Sequence, residues 1–351
     1  MTLTRTLSLA AGVAALSLFA LPAGASETDA FKDKMVSIVI GYPAGSAYVT
    51  YAQLVQRHIA KQLPGNPNVI TKFMPGAGSL IAANYLYEVA PKDGTVIGAL
   101  GRGTAVEPLM QGPKSKAKFD PRKFVWLASL NNEVAVGVAW HTSGIKTFED
   151  TLSKELIIGI GGEGGDANVF ARAMNNVMGT KFKLVCCYHG SSEQDLAMER
   201  GETGGRLNFS WSHLKRTKAD WLKEGKVNLI VQLALEKHRE LPNVPLVLDL
   251  VKDPEDHQLM EVVFSRQAMG RPFAAPPGLT AERAATLRTA FDRMLVDKEF
   301  LADADKMKIE INEPMPGVKV NALLDRLYSV SDATRKKLQM LETDSGKEAS
   351  K

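Results

Sequence analysis

Residues 38–51 (IVIGYPAGSAYVTY) and 157–170 (IIGIGGEGGDANVF) each run from an apolar, β-branched strand through a glycine-bearing turn into a helix. At such a turn the unpaired N–H groups of the first helical residues and the positive end of the helix dipole converge on one point, which suits a carboxylate or another anion. The two turns lie about 120 residues apart, far enough to belong to separate lobes. Facing each other, they would form a clamp.

Enzyme chemistry finds less support. Residues 159–164 match GxGxxG between a strand and a helix, as in a dinucleotide site, but the next strand ends in Cys186 and Cys187 where an acidic ribose partner belongs. Two SxxK matches, starting at Ser143 and Ser212, lack the companion motifs of acylating enzymes. No GxSxG, P-loop or HExxH occurs, and the six histidines (His58, His141, His189, His213, His238, His257) are scattered. No metal, cofactor or catalytic residue is therefore expected.

The elements that must position the turns sit behind an export signal. Residues 1–25 carry one charge, Arg5, an apolar run over 7–21 and a small-residue pattern, Ala23, Gly24, Ala25, that predicts cleavage before Ser26. Removing 25 of the 351 residues leaves 326, enough for two domains, and lowers the formal charge from +4 to +3. So small a balance, with no long basic run, argues against a nucleic-acid partner. Residues 114–124 (KSKAKFDPRKF) read as a solvated loop. Cys186 and Cys187, the only cysteines, are adjacent in a strand-like segment; a disulfide between neighbours needs a distorted peptide, so two buried free thiols are expected.

Strand candidates at 36–40, 68–72 and 95–99 alternate with helix candidates at 51–62, 80–90 and 105–111, which predicts β-α-β units around a mainly parallel sheet. Residues 124–140 (FVWLASLNNEVAVGVAW) read as a long strand crossing into a second lobe. A further set follows: strand 156–160, helix 167–178, strand 183–188, helix 193–200, strand 228–233. The chain then returns to the first lobe near 262–273, and Thr280 is expected to cap a helix over 281–296.

Seven motifs, GYPAGSAYVTYAQL, KFMPGAGSLIAANYL, APKDGTVIGALGRGT, GGEGGDANVFA, CYHGSSEQDLAMERGE, LPNVPLV and FAAPPGLTAERAATL, occur in an order in which the chain resembles the substrate-binding proteins of tripartite tricarboxylate transporters, the Bug receptors. The resemblance covers nearly all of the chain beyond residue 25. It implies an α/β, two-lobed periplasmic binding protein fold of type II, each lobe a mostly parallel sheet flanked by helices, with residues 26–131 plus 263–351 as a discontinuous first lobe and 132–262 as the second. It implies a monomeric periplasmic receptor that carries a small carboxylate to membrane subunits and is not an enzyme. The alternatives from other classes are an exported hydrolase or transferase on the same scaffold, with Ser191 or His189 in catalysis, and a sensory receptor for a membrane kinase.

The family's ligand turns fall on Ala44, Gly45, Ser46, Ala47 and Tyr48, on Gly164, Gly165, Asp166 and Ala167, and on Tyr188, His189, Gly190, Ser191 and Ser192. Arg102 follows the third strand and is expected either to fork onto a ligand carboxylate or to form an ordinary salt bridge. Asn208, Trp211 and Ser212 fall in a cleft-lining segment, with Trp211 either stacking on ligand or filling the core. Where the family often has an acidic residue after Pro-Ala-Gly, this chain has Ser46-Ala47-Tyr48-Val49. A ligand amine loses a counter-charge there. His189 replaces the usual Lys, which allows either a pH-dependent contact or a plain exposed neutral side chain.

Overall fold

The computed structural model describes residues 30–161, 165–188 and 190–343; the expected signal segment lies outside them. In chain order the elements are β1 (Met35–Ile40), α1 (Ala47–Ile59), β2 (Asn68–Phe73), α2 (Leu80–Glu88), β3 (Val96–Ala99), α3 (Glu107–Gln111), β4 (Val125–Ser129), β5 (Ala135–Trp140), α4 (Asp150–Ser153), β6 (Leu156–Gly159), α5 (Asp166–Met178), β7 (Phe182–Val185) and α6 (Ser191–Glu199). They continue with β8 (Gly205–Ser210), α7 (Trp211–Thr217), α8 (Ala219–Lys223), β9 (Val227–Leu233), α9 (Pro254–Ala268), β10 (Pro272–Ala275), α10 (Ala281–Leu295), α11 (Lys298–Lys306), β11 (Met315–Pro316), α12 (Gly317–Tyr328) and α13 (Asp332–Thr343).

The strands form two sheets, one ordered β11-β4-β10-β3-β1-β2 and the other β7-β6-β8-β5-β9. Helices cover both faces of each. β1 explains why: in MVSIVI, Ile38 and Ile40 face one apolar cluster and Val39 the other, the continuous apolar run of a strand buried on both sides. A third cluster, with Val136, Val138 and Trp140 of β5, covers the far face of the second sheet. The cluster between the sheets is shared, joined where Phe170 of α5 meets Phe264 of α9 at 4.8 Å. Among the described residues no helix is long and apolar enough to cross a membrane.

Four expectations need correction. Both sheets are mixed rather than mostly parallel, because the chain re-enters the first sheet through β10 and lines the second with β5, each antiparallel to its neighbours. The single crossing strand is two strands in different sheets, broken at the polar pair Asn131-Asn132. β8 (GRLNFS) was not foreseen, although Arg206 to Ser210 alternate polar and apolar, because the paired glycines Gly204 and Gly205 at its start read as a turn. Cys186 and Cys187 are neither buried nor free: β7 ends at Val185, and beyond it the pair is exposed and disulfide-bonded across a cis peptide, outside the extended geometry on which the free-thiol reading rested. Thr280 caps α10 as expected, accepting from Arg283 N–H at 3.1 Å.

A strained turn after β2 supports the site. Ser79 holds φ at 83°, is fully buried, and its hydroxyl finds no hydrogen-bond partner among the described residues. Left-handed geometry costs a non-glycine residue about 1–2 kcal/mol and an orphaned buried hydroxyl about 1–3, against roughly 0.5–1 for the added freedom of glycine in the unfolded chain. Ser79→Gly should therefore stabilise the protein by at least about 1 kcal/mol, read as a higher denaturation midpoint at an unchanged slope; an unchanged or lower midpoint contradicts the strain.

Candidate functional site

The carboxyl ends of β1, β2, β3 and β8 and the start of α5 at Gly165 and Asp166 border the cleft between the sheets, and there a cavity of about 740 Å³ opens. Its first-lobe wall begins with Tyr42 and Tyr48, whose rings stack at 4.1 Å with 5° between their planes. The next strand must pass close to them. Gly101 permits this, since a β-carbon there would lie 2.7 Å from the Tyr42 hydroxyl and 2.8 Å from the Gly78 carbonyl. Arg102 follows, its backbone N–H donating to the Tyr48 hydroxyl at 3.1 Å.

The Arg102 guanidinium reaches across the cleft. Its Nη2 bonds to the Asp166 carboxylate and donates to Asn208 Oδ1 at 3.3 Å. Asp166 is the first residue of α5, where the helix dipole favours a negative charge, and its other oxygen accepts from Arg266 Nη1 of α9 at 2.7 Å. One carboxylate thus bridges two guanidinium groups. Burial by itself would push the Asp166 carboxyl up, but Arg102 and then Arg266 outweigh it and hold the group below its usual 3.8. The same ion pair, working against burial, raises Arg102. Asn208 stands with φ at 65°, a left-handed conformation that asparagine tolerates better than most residues.

The sign of the Asp166 shift fixes an acid-side dependence. A depressed folded pKa stabilises above the unfolded value near 3.8, and that stability is lost as pH falls through the lower folded value. The stability gap between the native protein and Asp166→Asn should accordingly shrink from pH 6 toward pH 3 in parallel urea titrations. A gap independent of pH would contradict the ionised bridge.

Arg271, just before β10, supplies a third cation, its guanidinium 4.8 Å from the ring centroids of both Tyr48 and Tyr51. It faces Glu133 at 3.7 Å. Glu133 is held in turn by Ser210 Oγ and Asn131 Nδ2, each donating at 2.9 Å. Burial pushes the Tyr51 hydroxyl up to about 12 and raises Tyr42 as well, so both stay protonated donors at neutral pH. Glu133, Asn208, Ser210 and Arg271 also wall a second compartment of about 470 Å³, reached by Ala47 of α1, Ser191 of α6 and Arg206 of β8.

Of the residues singled out in the sequence, Tyr48, Arg102, Gly165, Asp166 and Asn208 line the larger cavity, and Ala47, Ser191 and Ser212 the smaller. Ala44 and Gly45 are exposed, Ser46 caps α1 by accepting from Tyr48 N–H, and Gly190 and Ser192 stand at the start of α6. Tyr188 packs under Gly159. Trp211 turns away from both compartments and donates to Glu240 at 2.8 Å. Gly164 and His189 lie outside the described residues. Tyr42, Glu133, Arg266, Gln267 and Arg271 were not anticipated as lining; the available signal was two arginines and a lone acid set among apolar residues in SRQAMGRPF and NNEVAVGV. Among the described residues no group of three or more His, Cys, Asp or Glu side chains could hold a metal ion.

No family model and no curated protein matches the chain. Solved structures do. A TctC solute binding protein from Polaromonas superposes with a TM-score of 0.65 at 17% identity, covering 88% of this chain and 98% of its own. MatC from Rhodopseudomonas palustris, with bound malate, gives 0.56 at 18% identity over 88% and 98%. The periplasmic binding protein BugD gives 0.55 at 13% identity over 89% and 97%. The fold is that of the two-lobed periplasmic binding proteins of type II.

Proposed function

We propose that this protein is an extracytoplasmic solute receptor that binds a small carboxylate in the cleft and delivers it to the membrane subunits of a tripartite tricarboxylate transporter. One observation carries the reading: three guanidinium groups, Arg102, Arg266 and Arg271, converge from separate elements on one cavity between the two sheets. Planar, permanently charged forks suit carboxylate recognition. The fold likeness to a TctC solute binding protein and to MatC with bound malate supports the same ligand class.

In this reading residues 1–25 direct export to the periplasm and are removed. Residues 26–131 with 263–351, and 132–262, are lobes that close about a hinge on a single ligand, as a monomer, and the closed form is what membrane subunits recognise. Binding, without chemical conversion, is the activity.

A thermal-shift screen of the purified protein against mono-, di- and tricarboxylic acids, with NAD as a contrast, tests it. A ligand at a hundred times its Kd should add about 2.7 kcal/mol of stability, a shift of several degrees. Silence from every acid would overturn the proposal.

A further inference from the structure

We infer that the larger cavity selects a ligand with one carboxylate over a ligand with two or three, and that Asp166 and Glu133 set this preference. The inference rests on the receptor reading and narrows its substrate class. The charged side chains lining the cavity balance, with Arg102, Arg266 and Arg271 against Glu107, Glu133 and Asp166. These cations are also already engaged: Asp166 gives one oxygen to Arg102 and the other to Arg266, and Glu133 faces Arg271 at 3.7 Å. The wall is neutral before any ligand arrives.

One carboxylate can still be received. Among the described residues Arg102 engages side chains through Nη2, so Nε–H or Nη1–H can each still donate a single charge-assisted hydrogen bond to a ligand carboxylate oxygen. A second carboxylate would find no unpaired cation. It would instead approach the negative charges of Asp166, Glu133 or Glu107 in a partly water-excluded cleft, where like-charge repulsion is felt more strongly than in water. The remaining lining favours an apolar body: Leu80, Met110 and Ala135 contribute beside the Tyr42 and Tyr48 pair, in a volume that exceeds what a four-carbon diacid fills. The ligand class is a monocarboxylate with an apolar body.

Matched six-carbon probes separate ligand charge from ligand size. In calorimetric titrations at neutral pH, hexanoate or 6-aminohexanoate should bind at least about tenfold more tightly than adipate. The amino acid arm distinguishes a purely apolar body from one whose ammonium group is met by a wall carboxylate. Asp166→Asn and Glu133→Gln each remove one negative charge at nearly constant shape and should shift the preference toward adipate by about fivefold or more. Adipate binding more tightly than both monocarboxylates to the native protein, or a ratio that neither substitution moves in proteins with native circular dichroism, overturns the charge selection while leaving the receptor reading intact. Binding of none of the three, nor of any acid in the screen, overturns both.

Discussion

Arg206→Leu should lower the stability of the protein by about 3–5 kcal/mol, the cost of leaving one partner of a buried ion pair uncompensated. Arg206 and Asp195 are bonded to each other with side chains only 5% and 6% exposed, so solvent does little to screen the charge left behind. Lys218 Nζ, at 3.6 Å from Asp195, offsets part of the loss. The Arg206 guanidinium also lies 4.3 Å from the Phe209 ring centroid and donates to the Ser191 carbonyl and hydroxyl, at 3.4 and 3.3 Å, which ties β8 to the start of α6. Loss of the arginine should loosen that turn as well. Urea unfolding followed by circular dichroism reads the effect, and a loss below about 1 kcal/mol would contradict it. The double replacement Arg206→Leu with Asp195→Leu should recover most of the loss, because an apolar pair of similar volume carries no stranded charge.

The second large effect concerns binding. Arg102→Met should weaken carboxylate binding by about 10- to 150-fold, the equivalent of one charge-assisted interaction of roughly 1.5–3 kcal/mol. The fold should survive, since Asp166 keeps Arg266 at 2.7 Å and Asn208 is only partly buried at the cavity wall. Titration of the best acid from the screen into both proteins measures the ratio. A change below threefold would show that Arg102 serves only as a strut between Asp166 and Asn208.

How far the site could be read from sequence follows from which signals are local. The turn at 44–48 is legible because a glycine after a buried strand and before an amphipathic helix is a local pattern, and α1 begins at Ala47 with Ser46 as its cap. Thr280 and α10 are legible for the same reason. Arg102 and Asp166 were each recognisable as cleft residues, but the bond between them spans 64 positions and no local pattern encodes it. Arg266 was hidden more deeply. It sits in a helix whose face there is almost wholly buried, and only the fold reveals that its charge is met by the first residue of α5, 100 positions earlier. Cys186 and Cys187 failed for the opposite reason: the local strand pattern was extended three residues too far, past Val185 to Tyr188.

The most direct test of carboxylate binding in the cleft is a calorimetric titration of the native protein with the strongest acid from the screen, repeated in the presence of a second acid. Reception between the sheets predicts one site per chain and straightforward competition between the two acids, with affinity falling when Arg102 is replaced. Saturable binding that Arg102→Met leaves unchanged, or the absence of binding by any carboxylate to a folded protein, would contradict it.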